Sequence, residues 1–119
     1  MKFNNTELLG WVNHRVYPMI AIVILHFLLG GLYVIAFGLA GPDSGLPLFI
    51  LSVASAAFTV LFVFDTVGDM WKLLHGDSTD EFKTTQWGGA ASKGTFIGGA
   101  VIFSVFILAA PVAHGILFL

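Results

Sequence analysis

Three long runs without a charged side chain dominate the chain. Residues 16–42 hold no Asp, Glu, Lys or Arg over 27 positions, residues 44–64 none over 21, and residues 94–119 none over 26. A bilayer core of about 30 Å takes roughly 20 residues of α-helix to cross, so each run is long enough. The runs are continuously apolar, not the alternating ten-residue segments of an outer-membrane barrel. The pattern predicts an all-α integral membrane protein with three transmembrane helices, over 16–41, 45–75 and 94–119.

The segments between the runs fill in the outline. Gly41-Pro42-Asp43-Ser44-Gly45 is a compact turn that makes the first two helices an antiparallel hairpin, with Ser44 or Asp43 as the cap of the second helix. Past Phe64 the helical period continues. Val67, Met70, Trp71 and Leu74 share one face, while Asp65, Asp69 and Lys72 are polar, so this helix is expected to emerge into the cytoplasm and to end at Gly76. Residues 1–15 read as a short interfacial helix with Trp11 at headgroup level. Residues 76–93 form the one truly hydrophilic stretch, a cytoplasmic loop. Pro111, deep in the third run, is expected to kink it near Ile107.

Charge sets the orientation. All five basic residues, Lys2, Arg15, Lys72, Lys83 and Lys93, fall on one side of a three-span layout. The positive-inside rule then places the N-terminus and the 76–93 loop in the cytoplasm and the C-terminus outside, in a prokaryotic inner membrane. The first run is about twice the length of a signal-peptide core and is expected to be retained. Apolar residues make up 57% of the 119 and charged residues 10%, with a net charge of −2, which excludes a nucleic-acid binder. The absence of cysteine excludes a disulfide scaffold, Cys-ligated zinc or iron–sulfur sites and a thiol nucleophile.

An ionisable side chain at mid-membrane is costly and marks a functional hypothesis. His26 lies ten residues into the first run, and Gly30 lies one turn on along the same face. A neutral imidazole beside a glycine can ligate a metal in a flat macrocycle, the iron of haem b or the magnesium of bacteriochlorophyll. The competing reading is an imidazole bonded to a backbone carbonyl or a serine of a neighbouring helix. Counted from the ends of the charge-free runs, His114 lies about 15 Å further out than His26, so the two are not expected to share an iron. Any second ligand to a His26-bound cofactor is then expected from another chain. His114 itself is expected to be structural or solvent-facing.

A second group gathers at the inner edge: Trp11, Asn13, His14, Arg15 and Tyr17 from the first helix, and Asp65, Asp69 and His75 from the second. Arg15 can hold a haem propionate or a lipid phosphate. His14 and His75 can meet if the second helix runs straight, and the His/Asp/Tyr set can serve a quinone. Plain interfacial anchoring is the alternative for the whole group.

The His14-Arg15…His26…Gly30-Gly31 arrangement resembles the helices of small membrane-anchor cytochrome b subunits of respiratory oxidoreductases. Residues 24–29 resemble the single-histidine pigment helix of bacterial antenna polypeptides. These resemblances cover one span of three. They imply a small anchor or accessory subunit of a respiratory or photosynthetic electron-transfer complex, with other membrane subunits and lipids as partners and His26 near haem b, bacteriochlorophyll or a quinone. The alternative is a structural accessory subunit or assembly factor without cofactor contacts. A third reading, a holin-like or channel-forming oligomer, rests only on Ser52, Ser55 and Thr59. Small residues, including Gly30-Gly31, Gly38 and the pair Gly94 and Gly98, are expected to pack the spans together or to dock them on another subunit.

Overall fold

The computed structural model describes residues 5–73 and 93–119. They form three long α-helices, α1 (Asn5–Ala40), α2 (Gly45–Lys72) and α3 (Lys93–Phe118). Each is long and apolar enough to cross a membrane. A single 3₁₀ turn, Pro42–Ser44, joins α1 to α2. It starts at Gly41, whose φ of 87° lies in the left-handed region, and the Gly41 amide closes α1 on the Phe37 carbonyl at 2.9 Å.

Two local expectations change. The N-terminal segment is not a separate element: α1 runs unbroken from Asn5 to Ala40 and includes Pro18. No residue in 5–17 breaks the helical period, and the N-terminal turns are the continuation of the span. Ser44 precedes α2 but does not cap it through its side chain; its hydroxyl turns back to the Gly41 carbonyl at 2.6 Å. The helix end expected at Gly76 and the 76–93 loop lie outside the described residues.

The contacts fix an up-down-up bundle. At one end Arg15 of α1 meets Asp65 and Asp69 of α2, and Trp71 of α2 meets Phe96 of α3. At the other end Phe37 of α1 stacks on Phe118 of α3 with ring centroids 4.8 Å apart. α3 is therefore parallel to α1 and antiparallel to α2. The longest axis of the molecule is 58 Å, close to the roughly 54 Å that 36 helical residues span.

The interior is built from small and polar residues. The buried positions of α2 are Gly45, Ser52, Ala56, Thr59, Val63 and Thr66. Those of α3 are Ala100, Ser104, Ile107, Pro111, His114 and Phe118. Both series step by threes and fours, with one step of seven in α2 between Gly45 and Ser52, the spacing of left-handed helix pairs. Met19, Ala56, Val63, Ala100 and Ile107 form the apolar centre, flanked by Val23, Val60, Phe62 and Val67. The large side chains Ile24, Leu28, Ile35, Phe58, Leu61, Val105 and Phe106 point outward. In water this arrangement would be inside out. In lipid, where apolar surface costs nothing outside, close approach through small residues and interhelical hydrogen bonds is what packs helices.

Candidate functional site

The buried polar residues of the interior include two imidazoles, His26 and His114, each held by a serine of α2. His26 enters from α1 and is 3% exposed. Its Nδ1 lies 2.8 Å from Ser55 Oγ of α2, and its Nε2 lies 3.0 Å from the Ile107 carbonyl oxygen of α3. A carbonyl only accepts, so Nε2 carries the proton. In the neutral ring Nδ1 then accepts from the Ser55 hydroxyl. The competing expectation for His26 named a backbone carbonyl or a serine on a neighbouring helix, and the imidazole holds both at once. In this arrangement neither ring nitrogen is free for a metal. Thr59 and Ser104 turn their hydroxyls onto their own helices, donating to the Ser55 and Ala100 carbonyls.

His114 is the second buried imidazole, 6% exposed. Its Nδ1 lies 2.6 Å from Ser52 Oγ. Its ring stacks on Phe118 at a centroid distance of 4.9 Å and an interplanar angle of 4°, with Tyr33 edge-on at 6.1 Å. The ring also fills the space above Gly30: a Cβ there would stand 3.3 Å from His114 Cε1. The face of Gly30 expected to admit a macrocycle is thus occupied by an imidazole of the same chain.

That contact corrects the relative depth of the two histidines. His114 packs against Gly30, one helical turn beyond His26, so they differ by about 6 Å along the axis instead of about 15 Å. The count from charge-free boundaries assumed that α1 and α3 enter at one level. They do not: Phe96 of α3 meets Trp71, whereas Arg15 of α1 meets Asp65 and Asp69, nearer the middle of α2.

A pocket of about 210 Å³ opens sideways between α1 and α2 beside His26, lined by Ile22, Leu25, Leu29, Ser55, Phe58 and Thr59. It is smaller than the roughly 300–1,000 Å³ of ordinary small-molecule sites.

At the end of the bundle that holds Arg15, its guanidinium sits between two carboxylates, with Nη2 3.1 Å from Asp65 Oδ2 and 2.8 Å from Asp69 Oδ2. The positive charge expected to meet a propionate or a phosphate is balanced within the chain. His14, Tyr17 and Trp11 are exposed on α1, Tyr17 to 67%. His75 lies outside the described residues, and with it the His14–His75 pair. Among the described residues no three His, Asp or Glu side chains converge on a metal-binding position.

Replacing Arg15 with glutamine leaves Asp65 and Asp69 facing each other without a counter-charge. These groups are partly exposed, so the expected loss is about 1 kcal/mol. It should be larger at low ionic strength, where repulsion is unscreened. Thermal unfolding of the two proteins in detergent at low and high salt checks both points.

Comparison with protein-family models, with curated proteins and with solved structures finds no match to this chain.

Proposed function

We propose that this protein is a small accessory subunit of a larger membrane assembly, holding it together as a scaffold and contributing no cofactor ligand of its own. The sorting of the glycines carries this reading. Gly30 and Gly45 lie in close contact with neighbouring helices of the bundle, but a Cβ on Gly31, Gly38, Gly98 or Gly99 would meet nothing within 4 Å. Open glycines on the outer surfaces of α1 and α3 offer another helix the close backbone approach that drives association in lipid. Meanwhile His26, the residue best suited to ligate a tetrapyrrole, commits both ring nitrogens to α2 and α3. The excess of Lys and Arg on one side supports an N-terminus in the cytoplasm and a C-terminus outside.

Membership of an electron-transfer complex is the reading that the resemblance of the first span to cytochrome anchor helices supports. It needs no ligand from this chain. The test is to isolate the tagged protein in mild detergent with its associated subunits, for wild type, Gly38→Leu and His26→Gln. Gly38→Leu should fall out of the assembly while its own unfolding midpoint stays unchanged. An intact His26→Gln assembly should keep any haem or pigment absorption of the wild type, oxidised and reduced. Retention of Gly38→Leu overturns the use of that face. Loss of an absorption band in an intact His26→Gln assembly overturns the scaffold reading in favour of ligation.

A further inference from the structure

The partner of His26 on α3 is the one carbonyl in the interior of that helix that lacks its i+4 amide. In an α-helix the carbonyl of residue i accepts from the amide of residue i+4. For Ile107 that residue is Pro111, which has no N–H and whose ring crowds the same carbonyl. Helix α3 nevertheless runs on to Phe118. In the interior of a membrane there is no water to satisfy the freed oxygen, so another protein group must do so. The His26 Nε2 lies 3.0 Å from it, at a site where Ile107 is wholly buried.

We infer that His26 is a latch across the proline break of α3: its Nε2–H supplies, from another helix, the hydrogen bond that Pro111 removes. The second contact sets the latch. Ser55 donates to Nδ1 at 2.8 Å, which holds the neutral ring in the tautomer with its proton on Nε2. Three helices thus meet at one ring, and each bond has a defined direction. The segment beyond the break carries His114 and Phe118, which pack against Gly30 and Phe37 of α1 and Ser52 of α2. Closing the latch keeps that outer segment in line with the rest of α3. Opening it frees α3 to bend at Ile107. The cost of a buried imidazole at mid-membrane is thereby offset by a bond that no apolar side chain can make.

The inference predicts a coupling between two residues 85 positions apart in sequence, His26 and Pro111. Unfolding midpoints of the full chain in lipid nanodiscs are to be measured for four proteins: the wild type, His26→Phe, Pro111→Ala and the variant carrying both changes. Alanine at position 111 returns an amide to the Ile107 carbonyl, so the loss caused by His26→Phe should shrink by at least half in the Pro111→Ala background. Equal losses in both backgrounds would overturn the latch. His26→Gln keeps an N–H donor and should retain part of the stability that His26→Phe loses. A measurement on the unaltered protein stands independently of whether the variants fold. Nitrogen NMR of ¹⁵N-histidine-labelled protein in bilayers should find His26 protonated on Nε2 and bare on Nδ1. The opposite tautomer, or a doubly protonated ring at neutral pH, would sink the inference.

Discussion

Gly45→Val is expected to open the end of the bundle where Phe37 stacks on Phe118. Gly45 has φ −61° and ψ −51°, ordinary helical values that any residue adopts, so the backbone itself does not demand glycine. The demand comes from α3. A Cβ at this position would collide with the Phe118 carbonyl oxygen, and it would stand 3.2 Å from the Phe118 carbonyl carbon and 3.4 Å from Phe37 Cε2. A backbone carbonyl cannot rotate away as a side chain can, so the two helix ends must part. Separation also pulls Phe118 off its stacks with Phe37 and His114. Overpacking of this kind costs about 3 kcal/mol. Unfolding in detergent or SDS titration measures the loss. Gly38→Leu, at a glycine with open space around it, is the control, and its effect on the isolated bundle should stay within about 0.5 kcal/mol.

The second large effect is expected at Gly30, one turn from His26. In Gly30→Leu the added side chain enters the volume held by the His114 ring, whose Cε1 already stands 3.3 Å from the Cβ position. The ring has little room to yield, being tied to Ser52 at 2.6 Å and stacked on Phe118. The expected cost is about 2–3 kcal/mol. Adding His114→Ala removes the obstacle and lets leucine fill the gap, so the double variant should be more stable than the sum of the single losses predicts. A thermal-unfolding cycle of the four proteins decides the matter, and strict additivity would mean that Gly30 and His114 do not share this space.

Much of the architecture is readable from the chain because bilayer thickness imposes a length, and charge-free runs of sufficient length have few other uses. The burial of His26 is readable for the same reason, since a lone imidazole ten residues inside such a run must find polar company. Its partners are not readable in the same way. The Ile107 carbonyl is 81 residues away, and the deficit that draws His26 to it arises from Pro111, which on its own signals only a kink. The inward faces are also hidden from the usual amphipathic test, because both faces of each helix are apolar. What distinguishes the inward face of α2 is size and a hydroxyl: Ser52, Ala56, Thr59 and Thr66 recur at helical spacing among Leu, Phe and Val. The register of α1 against α3 escapes a count along each run because nothing in either run says that the two helices enter at different levels. The pairing of Arg15 with Asp65 and Asp69 is nearer to hand: one half-buried cation and two acids at the same end of a hairpin.

The unbroken course of α1 has a mechanical consequence. Its first turns, through Leu9 and Trp11, project past the Arg15 pairing, and the same rod carries His26 and Gly30 further along. A helix is stiff in torsion and advances about 100° per residue. A grip on the exposed N-terminal stalk that turned it by even a fraction of that angle would swing the imidazole away from Ile107 and the glycine away from His114 together.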